Sequence, residues 1–166
     1  MSTVSVPSAI EAIALIFKLN NNMVDRSLEG LSDDEFWRPS PGGGNPIGWL
    51  LGHLTHTRAQ VLTNLGYSHD AGLGPLFVGG LVLRERSAYP PRAAIEAAWK
   101  DSRGRMRDAF AALTPDRLAG PPPGGRQLPG AENLAGYLTF LAFHESYHVG
   151  QMGFVRKRLG HPGIAG

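Results

Sequence analysis

The stretch from about residue 131 to 159 constrains the fold most, because a helix with this sequence is apolar on nearly every side. Gly160 and Pro162 follow it and are typical of a helix end. Such a helix has to be covered on both sides, by neighbouring helices or by a second subunit. We therefore expect a helical bundle that forms a homodimer. The second of the two apolar faces carries four aromatic residues: Phe140, Phe143, Tyr147 and Phe154.

Helix 1 is predicted from about residue 8 to 28. Ser8 and Glu11 form the pattern of a capping box, in which each side chain binds the backbone amide of the other residue. Gly30 fits the end of this helix. Ser32 and Glu35 repeat the capping pattern, which predicts a short helical turn.

Two further helices lie in the middle of the chain. The pair Asn45-Pro46 predicts the start of helix 2, with Asn45 as the capping residue, and Gly66 predicts its end. Pro90-Pro91 predicts the start of helix 3, in which apolar residues recur at spacings of three and four. We expect helix 3 to end at Thr114-Pro115. The apolar stretch from about 131 to 159, described above, is the predicted helix 4.

The connections between these helices differ in length. The segment from about 67 to 89 has no helical period and suits a crossover that spans the bundle, with one short strand at 81–85. The stretch 120–130, rich in proline and glycine, predicts a rigid, non-helical connector. Residues 1–166 thus predict one all-α domain, a four-helix bundle with a long crossover between helices 2 and 3.

The chain of 166 residues contains no cysteine, which excludes disulfide frameworks, thiolate nucleophiles and cysteine-rich zinc sites. Any metal site must therefore use His, Asp or Glu side chains. The net charge is only +2 and charges of both signs are interspersed, so we expect no nucleic-acid partner. Neither a signal peptide nor a membrane helix is apparent, so a cytoplasmic protein without a membrane partner is expected.

The segment HESYH places His144, Glu145 and His148 inside the main apolar stripe of helix 4. Two imidazoles one turn apart can bind the same ion, at about 2.0–2.1 Å from each ring nitrogen. Gln151 lies beside His144, at the edge of this site. The alternative is that both histidines are core residues, bonded to neighbouring backbone or hydroxyl groups.

HESYH also matches the H-E-x-x-H motif of zinc proteases. A metzincin would need glycine and histidine where this chain has Gln151 and Phe154, and no Asp or Glu lies downstream of the motif. A third ligand therefore has to come from upstream. His53 lies at the flank of the apolar stripe of helix 2, so periodicity favours it over His56 and His69, which we expect to be solvated.

Two stretches resemble the DinB/YfiT-like superfamily of bacterial metal-dependent four-helix proteins: NPIGWLLGHLTHTR at 45–58 and HESYHVGQMGFVRKRLG at 144–160. In that superfamily a histidine of helix 2 and an H-x-x-x-H pair on the last helix bind a divalent metal. The resemblance therefore implies His53, His144 and His148 as ligands. It also implies a dimer and, as in some relatives, transfer or isomerisation of substrates with a low-molecular-weight thiol.

Three neutral imidazoles leave at least one coordination position open, which is typical of a catalytic site. Ligand identity alone does not choose between Zn²⁺ and Ni²⁺. We expect Glu145 to orient a ligand histidine, its other possible roles being a catalytic base or the partner of an interior arginine. The first hypothesis is a thiol S-transferase or isomerase acting on a small molecule. The alternatives are a hydrolase that uses a metal-bound hydroxide and a non-enzymatic metal-binding stress-response protein.

Overall fold

The computed structural model describes residues 8–39, 43–79, 83–125, 128 and 130–165, and these form six α-helices and no named β-strand. Four long helices correspond to the predicted helices 1 to 4, and one short helix corresponds to the predicted turn. Another short helix, after predicted helix 3, was not expected. The helices are α1 (Ala9–Leu28), α2 (Asp33–Trp37), α3 (Ile47–Asn64), α4 (Arg92–Ala111), α5 (Pro115–Ala119) and α6 (Leu134–Arg158).

The starts of the helices are partly as predicted. The capping boxes of α1 and α2 are both formed. The prediction of Asn45 as a cap was wrong, because Pro46 occupies the capping position and its carbonyl oxygen accepts the amide of Leu50 at 3.0 Å. Likewise α6 begins later than residue 131, because Asn133 caps it and accepts the amide of Gly136 at 2.9 Å.

The two predicted connections also differ in detail. The predicted strand at 81–85 is not found: residues 83–85 are unpaired, and residues 81 and 82 lie outside the described part. Pro123–Gly125 forms a 3₁₀ turn in the connector at 120–130, of which residues 126, 127 and 129 also lie outside. Before that connector, Thr114 caps α5 by accepting the amide of Arg117, so Thr114-Pro115 begins a further helix.

Contacts along the long helices determine their directions. α1 and α6 are parallel, whereas α3 is antiparallel to α6 and α4 is antiparallel to α1. Since α3 and α4 therefore run the same way and pack side by side, the chain between them has to return along the bundle, which confirms the predicted crossover. The contacts in question are Asn20–Ser146, Ser27–Arg156, Asn64–Tyr137, His53–His148, Phe17–Phe110 and Asp25–Arg103.

Polar side chains from all four long helices meet between two apolar clusters of the core. The first cluster includes Phe77 and Trp99, and the second includes Phe17. Arg58 contacts both, since its guanidinium carbon lies 3.8 Å from the ring centre of Trp99 and 5.6 Å from that of Phe17. The polar residues that meet there are all buried: Asn20, Arg58, Ser102 and Glu145. No helix in the described part is both long and apolar enough to cross a membrane.

Candidate metal centre

Three histidines point their Nε2 atoms at one another, one from α3 and two from α6. The Nε2 atom of His144 lies 3.3 Å from that of His53 and 3.2 Å from that of His148. One ligand atom from each residue lies within 4.8 Å of the other two. Two ligands of a tetrahedral ion at about 2.0–2.1 Å are separated by roughly 3.3 Å, so the spacing fits a metal ion.

The outer nitrogens of two rings determine which tautomer each adopts. His53 Nδ1 lies 2.7 Å from the carbonyl oxygen of Phe77, which can only accept, so we assign the proton of His53 to Nδ1. His148 Nδ1 lies 2.8 Å from Oε1 of Gln151 and is assigned its proton in the same way. Both Nε2 atoms therefore present a lone pair to the centre of the group.

Neither tautomer of the third ring, that of His144, can satisfy all the nitrogen lone pairs at the centre of the group. A proton on its Nε2 could be donated to only one of the two neighbouring lone pairs at a time. A proton on its Nδ1, which is buried and has no hydrogen-bond partner among the described residues, leaves three lone pairs facing one another. A cation satisfies all three, so the donor chemistry of these residues fits a divalent metal ion.

The electrostatics of the group favour neutral imidazoles. Burial, and to a smaller extent the neighbouring rings of His148 and His53, lower the pKa of His144 to about 4. The pKa values of His53 and His148 are also lowered, in both cases chiefly by burial. Neutral imidazole is the form that binds a metal, so the ligands need no deprotonation at neutral pH.

Two aromatic side chains flank the imidazoles. The indole of Trp49, one helical turn before His53, lies parallel to that ring at 5.1 Å between centroids and 8° between planes. The ring of Tyr147 meets His148 edge to face at 5.2 Å. Trp49 is 3% exposed, so it limits both the movement and the solvation of the His53 ring.

Glu145 lies away from the three imidazoles, although it follows His144 in the chain. Its Oε2 accepts from Nε of Arg58 and its Oε1 from an Arg58 amino group, both at 2.7 Å, and Asn20 donates to Oε1 at 3.2 Å. Glu145 is thus the partner of an interior arginine, the last of the three roles considered. The expected role of orienting a ligand belongs to Gln151, which contacts His148, and to the Phe77 carbonyl.

The other two upstream histidines lie outside this group. His56 and His69 are half-buried, not fully solvated as expected, and both line a cavity of about 300 Å³ beside the crossover. The Nε2 atom of His56 is 3.1 Å from the side-chain amide nitrogen of Gln60. His56 and His69 therefore do not belong to the three-histidine group.

Three residues around the site were missed by sequence reasoning: Arg58, Asn20 and Phe77. Arg58 had a usable signal, because it falls four residues after Leu54 and three before Val61, on the apolar stripe of α3. An arginine at that place needs a buried acceptor. Phe77 contributes a backbone oxygen, for which the sequence carries no comparable signal.

Comparisons with known proteins agree with this architecture. A family model described as the DinB superfamily matches residues 16–152. The structure of YfiT from Bacillus subtilis, described as a probable metal-dependent hydrolase with an unusual four-helix bundle topology, superposes with a TM-score of 0.67 at 14% identity, covering 98% of this chain and 94% of YfiT. At that identity the likeness shows the fold alone, and no curated protein matches by sequence. Because the family model spans most of its length, the chain belongs to the DinB superfamily.

Proposed function

We propose that this protein is a metal-dependent enzyme in which His53, His144 and His148 hold a divalent ion. The convergence of their three Nε2 atoms carries the proposal, since the outer hydrogen bonds of His53 and His148 leave the Nε2 atoms of these two residues unprotonated. Neutral ligands do not offset the charge of the ion, which when bound supplies a Lewis acid that lowers the pKa of a nucleophile at its open position. The protein residues hold the ligands, keep them neutral and restrict water on the Trp49 side.

The ligand set supports zinc. Three histidines with an open fourth position are typical of a catalytic zinc site, and the Nε2 separations of 3.2 and 3.3 Å are compatible with it. We therefore propose Zn²⁺ as the resident ion, and the elemental analysis described below distinguishes it from Ni²⁺.

Within this class we propose transfer or isomerisation of a small molecule with a low-molecular-weight thiol. No carboxylate in the described part of the chain hydrogen-bonds to the three imidazoles, and that of Glu145 is bound to Arg58. A thiol has a pKa of about 8.5 and needs little help to ionise, whereas water starts from 15.7. A site with no free carboxylate base therefore suits a thiol better than water.

Hydrolysis is the second candidate, and the description of YfiT as a probable metal-dependent hydrolase supports it. Three histidines without a carboxylate are sufficient to lower the pKa of bound water to about 7 in some zinc enzymes. The same three ligands would serve, and only the nucleophile would differ.

The ligand set is tested by elemental analysis of protein purified without affinity metals. We expect His53→Ala to lose the metal and His56→Ala to retain it, because His56 lies one turn further along α3 and outside the group. Unchanged metal content in His53→Ala would remove this histidine as a ligand.

The nucleophile is tested with metal-free and metal-reloaded protein, using His144→Ala as the inactive control. We expect turnover when a low-molecular-weight thiol and an electrophile are both supplied, and only in the reloaded wild-type protein. Turnover of esters or amides without thiol would instead establish the hydrolase. Stoichiometric metal with no turnover in either panel would support a non-enzymatic metal-binding protein.

A further inference from the structure

We propose that Gly52 and Phe77 are positioning residues, which together hold His53 in the orientation and tautomer that the metal site requires. The inference about metal affinity rests on the proposed function, whereas the inference about the tautomer does not. It makes the crossover between α3 and α4 part of the site.

The Phe77 ring occupies a notch in α3 that only glycine can provide. Phe77 is fully buried and packs against Tyr89, with 5.4 Å between ring centres. A Cβ atom on Gly52 would lie 2.2 Å from Cε1 of this ring and 2.3 Å from its Cδ1. Any side chain at position 52 would therefore push Phe77 away from the helix.

The same residue also makes the outer hydrogen bond of the metal site. The Phe77 carbonyl oxygen lies 2.7 Å from Nδ1 of His53, and His53 directly follows Gly52. Phe77 thus contacts two consecutive positions of α3, through its ring and through its backbone. The chain then continues past the imidazole, since a Cβ on Gly79 would lie 3.6 Å from Cε1 of His53.

These contacts determine whether His53 presents a lone pair or a proton to the other two histidines. The carbonyl acceptor keeps the proton on Nδ1, and the parallel Trp49 ring limits rotation of the imidazole. If Phe77 moves away, the Nδ1 proton loses its acceptor and the Nε2-protonated tautomer, which presents no lone pair to the other two histidines, becomes accessible. Loss of such an outer partner weakens metal binding by about 10- to 100-fold.

Gly48 provides a matched control one turn earlier on α3. A Cβ there would lie 2.6 Å from the ring of Phe36, so Gly48→Ala introduces a similar clash at a site that makes no hydrogen bond to His53. We expect both Gly52→Ala and Gly48→Ala to lower the melting temperature. Only Gly52→Ala should weaken Zn²⁺ binding by about 10- to 100-fold in a chelator competition.

Two results would overturn the inference: wild-type zinc affinity in folded Gly52→Ala, or equal weakening in Gly48→Ala. If Gly52→Ala does not fold, Phe77→Leu replaces it, because leucine keeps an apolar group there but not the flat ring against Gly52. We then expect Phe77→Leu to weaken zinc binding at least about 10-fold. Unchanged affinity in that variant would equally contradict the role of Phe77.

The tautomer is measured separately, by nitrogen NMR of the metal-free protein. We expect His53 to be protonated on Nδ1 in the wild type and in Gly48→Ala, and to show a mixture of tautomers in Gly52→Ala. A wild-type His53 protonated on Nε2 would refute the positioning role. If the wild type binds no zinc, the proposed function fails, and the tautomer comparison alone decides the role of Gly52 and Phe77.

Discussion

The guanidinium of Arg58 and the carboxylate of Glu145 form a two-pronged ion pair in the centre of the bundle, with 2.7 Å at each contact. Their side chains are only 1% and 3% exposed. Trp99 covers the guanidinium, and Asn20 donates a further hydrogen bond to the carboxylate. A pair like this adds little stability over well-packed apolar residues, yet loss of one partner leaves a buried, unpaired charge.

Arg58→Met is expected to lower the free energy of unfolding by about 3–5 kcal/mol, because Glu145 then remains buried without its counter-ion. Urea denaturation of the metal-free protein measures this. The control is Arg107→Met, which removes one partner of the exposed Arg107–Asp108 pair and should change stability by less than about 1 kcal/mol. Similar effects of the two substitutions would contradict the buried pairing.

The metal-free protein is expected to lose stability as the pH falls from about 6.5 towards 4. The pKa of His144 is lowered to about 4 in the folded state, so below pH 6.5 the unfolded chain binds protons that folded His144 does not. The contribution of neutral His144 to the free energy of unfolding is thus fully present above pH 6.5 and is lost as the pH approaches 4. The lowered pKa values of His53 and His148 act in the same direction.

The urea midpoint between pH 7 and 4.5 tests this, because the range lies above the region in which Glu35, whose pKa is lowered to about 2, loses its own contribution. We expect a shallower pH dependence in His144→Gln than in the wild type. Identical slopes would show that His144 does not resist protonation in the folded state.

Gln151→Ala should weaken zinc binding by about 10-fold, because Oε1 of Gln151 is the acceptor for Nδ1 of His148 at 2.8 Å. Gln151→Glu should restore or strengthen binding, since a carboxylate accepts the same hydrogen bond more strongly. Gln60→Ala is the control, because Gln60 contacts His56 outside the three-histidine group. A chelator competition that ranks Gln151→Ala with Gln60→Ala would remove Gln151 from the site.

The homodimer stays a prediction, and the structure identifies the surface to change. Three aromatic residues of α6 remain largely exposed: Phe143 at 66%, Tyr147 at 57% and Phe154 at 60%. We expect the wild type to sediment as a dimer and Phe143→Glu/Phe154→Glu to sediment as a monomer. Tyr67→Glu, at an aromatic residue 42% exposed after the end of α3, should remain dimeric. A monomeric wild type at micromolar concentration would contradict the dimer.

The long helices and the inward direction of the two α6 histidines were predictable because both follow from a local period. His144 and His148 are one turn apart within a single helix, so the apolar stripe already placed them on one face. His53 lies on another helix, and only its position at the flank of a stripe and the family resemblance indicated it. Its meeting with His144 depends on how α3 and α6 pack.

The remaining parts of the site depend on contacts that leave no periodic pattern. The bond between Phe77 and His53 joins a helix to the crossover through a backbone oxygen. Glu145 is predicted to orient a ligand histidine because metal-bound histidines usually need an acceptor for their other N–H group, but its side chain faces Arg58 instead. Successive helical residues point about 100° apart, so Glu145 and His144 have different surroundings. His144 therefore belongs to the histidine group, whereas Glu145, the next residue, belongs to the buried ion pair.

The buried polar residues also control how far each helix can slide along its neighbours. α3 carries both His53 and Arg58, and α6 carries both His144 and Glu145. A slip of α6 by one turn, about 5.4 Å, would separate the ion pair and the imidazoles together. Apolar side chains tolerate such a slip better than an ion pair does, because their attraction has little direction. The Arg58–Glu145 pair therefore fixes the register of α6 against α3, and this is the register at which the three histidines meet.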